Sequence, residues 1–228
     1  MLVKKITSTI NLMEEVKQLE NKSGKVEEFE EFNTLLRNNK NRTINEFINV
    51  YKVLINYDSQ YFELKFPQYI FDIINELLNS INEYKVPNNS KLFSLTEYIS
   101  ELNDELEEKW NKYIDNKTEN TINSLENIKS LYDDSTQITN IIQKLKRLKE
   151  KWPINNQDLN DLDESIELGR IIINNLDVDE KIQEFLQKIN NSNATIEDLD
   201  HDILSWLEKN DFKQNLKISF NYVRRQNY

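Results

Sequence analysis

The side chains that could do chemistry here are carboxylates gathered around a single imidazole. In NATIEDLDHDILSWLE, residues 193–208, His201 is the only histidine of the chain, and Glu197, Asp198, Asp200 and Asp202 surround it. Two further clusters are Asp158, Asp161, Asp163 and Glu164, then Asp177, Asp179 and Glu180. Paired carboxylates can act as general acid and base, or hold Mg²⁺ or Ca²⁺ through oxygen alone. Cysteine is absent, which removes disulfides, thiolate metal sites and cysteine nucleophiles. Ser-His-Asp catalysis would have to use His201. Glycine stands only at 24 and 169, so no phosphate-cradling loop of either common type can be built.

Spacing decides between these chemistries and a simpler role. No cluster has the alternating acids, sixth-position glycine and twelfth-position glutamate of a calcium loop, and no Glu-x-x-His pair of the di-iron kind occurs. Each cluster instead opens an expected helix. Acids there meet unpaired N–H groups and the positive end of the helix dipole, an effect of about 0.3–1 kcal/mol each. Thr195 and Asp198 resemble a capping box with aspartate in place of glutamate. Leu199, Ile203, Leu204 and Leu207 would dock that helix, with Trp206 beside them. On this reading the chain is not an enzyme: no catalytic residue, metal ligand or cofactor is assigned.

The elements that carry these clusters are helices. Two Gly and three Pro in 228 residues leave too few turn signals for a β-rich or α/β fold. Leu2, Ile6, Ile10, Met13, Val16 and Leu19 fall on one helical face, and Gly24 suits the end of that helix. A second helix follows from Val26 through Leu36, and a third from a cap at Thr43 through Ile55. SQYFELKFP, 59–67, is doubtful as helix; Pro67 either stops it or opens the next one, whose stripe is Ile70, Ile73, Ile74, Leu77, Leu78 and Ile81. VPNNS, 86–90, is the clearest linker. From Leu92 to Trp152 no Gly or Pro occurs, and apolar residues recur every three or four positions as in a coiled-coil seam. The seam weakens at Lys117–Asn120 and Asp133–Thr136. It is either a hairpin turning near 133–136 or one kinked helix, and the hairpin is preferred because it buries its own stripe. Trp152-Pro153 ends the segment, and three shorter helices follow, starting at Asp158, Asp177 and Thr195. LKISF, 216–220, reads as a short strand or an extended segment.

The expected architecture is therefore all-α. Residues 1–86 form a helical bundle, 92–152 a long coiled-coil-like helix or helical hairpin, and 154–220 an acidic C-terminal bundle, with 221–228 as a basic tail. Charge is uneven: residues 1–94 hold 13 acids and 12 bases, whereas 154–211 hold 15 acids and 4 bases. That balance argues against direct nucleic-acid binding, which needs a basic footprint. Abundant Asn and Lys with a single alanine, Ala194, point to a low-GC genome. The N-terminus lacks the apolar core and small-residue site of a secretory signal, and no window is apolar enough to span a membrane, so a cytoplasmic protein is expected.

Trp110, Trp152 and Trp206 have two readings, as anchors of bundle layers or as exposed anchors for a partner. The partner-binding candidates are Trp110, Tyr113, Trp152 and Trp206, together with Arg224 and Arg225 of the tail. Homodimerisation through 92–152 is a separate possibility. Within 177–220, FL at 185–186, ATIEDL at 194–199, ILSWL at 203–207 and the closing LKISF resemble the C-terminal pattern of helical accessory proteins from bacterial anti-phage defence loci. The resemblance covers about a fifth of the chain and carries no functional residue. It implies an accessory subunit working beside a larger ATPase or nuclease. The function expected is thus that of a helical interaction or scaffold subunit of a larger assembly. The alternative is an acidic, antitoxin-like inhibitor that masks a basic nucleic-acid-binding surface.

Overall fold

The computed structural model describes residues 7–8, 26–37, 41–83 and 85–216. The helix expected over 2–20 with its end at Gly24, residues 217–220 of LKISF, and both arginines of the tail lie outside them. The described elements are helical: α1 (Val26–Leu35), α2 (Asn41–Tyr57), α3 (Gln68–Asn82), α4 (Asn89–Lys129), α5 (Thr136–Lys149), α6 (Asn156–Asn175), α7 (Glu180–Asn190), a 3₁₀ turn at Ile196–Asp198, and α8 (His201–Lys209). The all-α expectation holds, and the long segment is a helical hairpin, turning over 130–135 between α4 and α5.

The chain divides into two compact units, one of 1–113 with 151–159 and the other of 114–150 with 160–228. The division falls inside α4, between Tyr113 and Ile114. The expected linker VPNNS lies between α3 and α4, within the first unit. There Asn88 caps α4, its Oδ1 accepting from the Ser90 N–H at 2.9 Å and the Ser90 hydroxyl at 2.8 Å.

In the first unit the stripe of α3 is buried as its spacing requires, with Ile70, Ile73, Ile74, Leu77 and Ile81 turned inward. Ile44, Phe47 and Leu54 of α2 and Leu92, Ile99 and Leu106 of α4 are buried as well. Phe32 and Leu36 pack with Ile81 and Leu92. Pro67 stands immediately before α3, where its missing N–H costs nothing. Residues 58–67, doubtful as helix, form a turn and an extended loop whose Phe62 and Leu64 are nevertheless buried. α2 begins two residues before Thr43, which therefore sits inside the helix rather than capping it.

In the second unit the weak point of the seam has a physical explanation. α4 runs through 117–120 without a break because Thr118 and Thr121 occupy core positions, at 0% and 7% exposure. The Thr118 hydroxyl donates to the Ile114 carbonyl at 2.7 Å, so no polar group is stranded. Gly169 of α6 lies against Thr121 and Leu125. A Cβ placed there would be 2.6 Å from Thr121 Cγ2 and 3.2 Å from Leu125 Cδ1. Buried Ser165 lies one turn before Gly169 on the same helix and donates to the Asp161 carbonyl. Small residues on both helices let α4 and α6 approach closely, where a larger apolar seam would hold them apart.

Candidate functional site

The carboxylate clusters are spent on helix starts and ion pairs. At the start of α6, Asn155 and Asp158 cap one another: Asp158 Oδ2 accepts from the Asn155 N–H and Asn155 Oδ1 from the Asp158 N–H, each at 3.1 Å. Asp158 is buried and its charge is met by Lys151 at 2.5 Å. Asp161 and Glu164 pair with Lys144, and Asp163 with Lys117. Asp179 caps α7 by accepting from the Ile182 N–H, and Asp177 pairs with Lys209.

Around His201 the expected single helix start is two starts. Asp198 Oδ2 accepts both the N–H and the hydroxyl of Thr195, at 2.8 and 2.9 Å, closing the 3₁₀ turn. Asp200 then caps α8, its Oδ1 accepting from Asp202 and Ile203 N–H at 3.1 Å. His201 is the exposed first residue of that helix. Lys181 bridges Asp200 and Asp202, and Lys188 holds Asp198. The Lys188 ammonium, followed by the two Thr195 donors, lowers the Asp198 carboxyl to about 2. Lys181, and next the Ile203 N–H, lowers Asp200 as well. Among the described residues no three His, Asp or Glu side chains converge as a metal site. Two open clefts flank α4. One, of about 340 Å³, contains Asp115, Glu119 and Glu126 but is bordered by the Lys146–Glu126 and Lys149–Asp115 pairs. The other, of about 330 Å³, is lined by Asn120, Asn123, Ser124, Asn127, Gln183 and Gln187, all uncharged. Neither brings a nucleophile to a base.

The tryptophans separate by environment. Trp206 is 5% exposed, its Nε1 donates to the Leu176 carbonyl at 2.5 Å, and its ring lies 5.6 Å from Phe212. It is a packing anchor. Trp152 is half-buried and precedes a cis proline. Trp110 is fully buried, and its Nε1 has no hydrogen-bond partner. It is not at the surface; it forms the floor beneath a tyrosine-faced surface.

That surface belongs to the first unit and is built by the 58–67 loop against α4. The Asp58 carboxylate accepts from the Tyr61 N–H at 3.1 Å, and the Phe62 N–H donates to the Asp58 carbonyl at 3.1 Å, so the chain turns sharply after α2. The turn drops Phe62 into the core beside Trp110, ring centroids 6.4 Å apart, and leaves Tyr61 outside at 37% exposure. Tyr113 joins them: its ring is 5.1 Å from Phe62, 5.0 Å from Tyr61, 6.0 Å from Tyr57 and 6.3 Å from Trp110. Tyr57 and Tyr113 are half-buried. Lys109 pins the loop by donating to the Glu63 carbonyl at 2.7 Å. Further along α4, Tyr98 packs edge-on against Tyr69, which is 52% exposed, at 5.6 Å. Burial, then the neighbouring Tyr69, Glu105 and Glu101, raises the Tyr98 hydroxyl above its ordinary range.

Of the sequence candidates, Trp110 and Tyr113 meet here, while Trp152 and Trp206 contribute no ring contact to the cluster. Tyr57 and Tyr61 were not foreseen. Tyr57 ends α2 and Tyr61 lies in the loop where helical periodicity fails, and the density of aromatics in YDSQYF is their sequence signal. No family model matches the chain, and neither the curated proteins nor the solved structures include a significantly similar one. Among the described residues no helix is long and apolar enough to cross a membrane.

Proposed function

We propose that this protein is a non-enzymatic helical interaction subunit of a larger bacterial assembly, and that it docks a protein partner on the tyrosine-faced side of its first unit. One observation carries the reading: Tyr57, Tyr61 and Tyr113 show partly exposed rings on a fully buried base of Phe62 and Trp110. Tyrosines of this kind are the side chains on which interfaces concentrate their energy, because a rigid amphipathic ring loses little entropy when covered. The resemblance of residues 177–220 supplies the setting, an anti-phage defence locus with an ATPase or nuclease as partner. A role as an acidic inhibitor draws less support, since Asp161, Asp163, Asp177, Asp198, Asp200 and Asp202 already hold lysines of the same chain.

Affinity purification of the tagged chain from its native host tests the proposal. A stoichiometric partner is expected with the wild type and is expected to be lost from the Tyr61→Ala/Tyr113→Ala variant. Truncation of central interface tyrosines typically costs about 2 kcal/mol or more, a roughly thirtyfold loss of affinity. Recovery of a lone monomer from the wild type under gentle conditions would overturn the proposal.

A further inference from the structure

The tyrosine-faced side of the first unit has a second property, its charge. Between Lys91 and Lys109, α4 carries Glu97, Glu101, Asp104, Glu105, Glu107 and Glu108 without one base. Glu97, Glu101 and Asp104 are exposed and Glu107 is half-buried, and none of the four has an ion-pair partner among the described residues, whereas Glu105 pairs with Lys109 and Glu108 with Lys112. On a helix Glu101 and Glu105 follow Tyr98 at three and seven residues, hence on its own face.

The acids are bracketed by aromatic pads. Tyr98 with Tyr69 marks one end, and Tyr113 with Tyr61 the other. The fifteen residues from Tyr98 to Tyr113 span about 22 Å at the helical rise. An extended chain covers that distance in about seven residues. The loop running beside α4 keeps the two pads on one side: the Tyr98 hydroxyl reaches the Lys65 carbonyl at 3.5 Å, and Lys109 the Glu63 carbonyl.

Resting on the interaction reading above, we infer that this surface takes an extended, arginine-bearing segment of a protein partner, laid along Glu101 and Glu105 with its ends on the two tyrosine pads. Charge complementarity selects the occupant. A carboxylate-rich strip, in which only the long and half-exposed Lys109–Glu105 contact offsets Glu105, repels nucleic acid and acidic segments, and guanidinium groups can both pair with the carboxylates and stack on tyrosine faces, which ammonium groups do less well. A flat apolar partner would desolvate those carboxylates and leave Glu101 without a counter-charge.

Three seven-residue peptides alternating serine with arginine, lysine or glutamate probe this directly. Each is titrated into the full-length chain by calorimetry at low salt. The arginine peptide is expected to bind, the lysine peptide about threefold or more weakly, and the glutamate peptide not at all. Glu101→Gln/Glu105→Gln should weaken the arginine peptide by about fivefold or more, and Tyr61→Ala/Tyr69→Ala by a comparable factor. Glu164→Gln/Glu167→Gln, an equal loss of charge on the second unit, should leave it unchanged. Circular dichroism and an unaltered unfolding midpoint establish that each variant is folded. Equal weakening by the second-unit variant would show attraction to the net charge of −11 alone and overturn the inference, as would no binding of the arginine peptide. If the native partner is lost from Tyr61→Ala/Tyr113→Ala but bound normally by Glu101→Gln/Glu105→Gln, the interaction reading stands and the cationic segment is refuted.

Discussion

Ser192 and Asp211 occupy the left-handed region with φ of 57° each, a conformation that disfavours any residue with a Cβ. Both follow the end of a helix and complete the same hydrogen-bond pair. Ser192 N–H donates to Ile189 and Asn193 N–H to Lys188; Asp211 N–H donates to Glu208 and Phe212 N–H to Leu207. These are Schellman ends built without glycine, the second one sealed by Phe212 against Trp206. Ser192→Gly and Asp211→Gly should each stabilise the fold by about 0.5–1 kcal/mol, read as a rise in urea midpoint. Asp198 titrates in the opposite sense to a stabilising change. Its folded-state value of about 2 lies below the ordinary 3.8, so its contribution is complete above pH 4 and is lost as pH falls towards 2. Wild type should lose stability across that window faster than Asp198→Asn; a constant difference between the two from pH 4.5 to 2 would contradict the Lys188–Asp198 pairing.

Among the elements, α4 and α6 depend on one missing side chain. Gly169→Ala would force its Cβ against Thr121 and Leu125, and overpacking of this sort costs about 1–3 kcal/mol. Thr121→Ala should recover part of that loss in the double variant, because it removes the methyl the new Cβ meets, whereas additive losses would mean that the helices do not touch there. The same contact shows what the sequence could and could not reveal. The stripes of α3 and α4 were legible because Ile70, Ile74, Leu77 and Ile81, or Leu95, Ile99, Leu102 and Leu106, repeat with the helical period and are all buried. Lys117–Asn120 reads as a break because a polar residue in a seam looks solvated; Thr118 is core because its hydroxyl bonds to the Ile114 carbonyl, and the neighbouring Thr121 faces a glycine distant in sequence. The helix expected from Thr195 onwards divides in two because Asp198 and Asp200 both cap, and capping signals two residues apart do not say which start prevails. Glycine-free helix ends at Ser192 and Asp211 escaped for the same reason that glycine is normally the signal.

At the scale of the molecule, each unit has its own core, and α4 and α6 both contribute residues to the two. Acids concentrate in two places with different fates. In the second unit they hold Lys144, Lys181, Lys188 and Lys209 of the same chain, so the acidity read from composition is largely structural. In the first unit Glu97, Glu101, Asp104 and Glu107 of α4 have no ion-pair partner among the described residues and lie near exposed tyrosines, in a stretch that falls between the acid–base balances of 1–94 and 154–211. Interaction through that surface is the central claim. The most direct measurement of it is the dissociation constant of the partner recovered from the host, compared between wild type and Tyr61→Ala/Tyr113→Ala. A loss of roughly thirtyfold or more, at a temperature where circular dichroism shows both proteins folded, is the expected result. Equal affinities for the two folded proteins would contradict it.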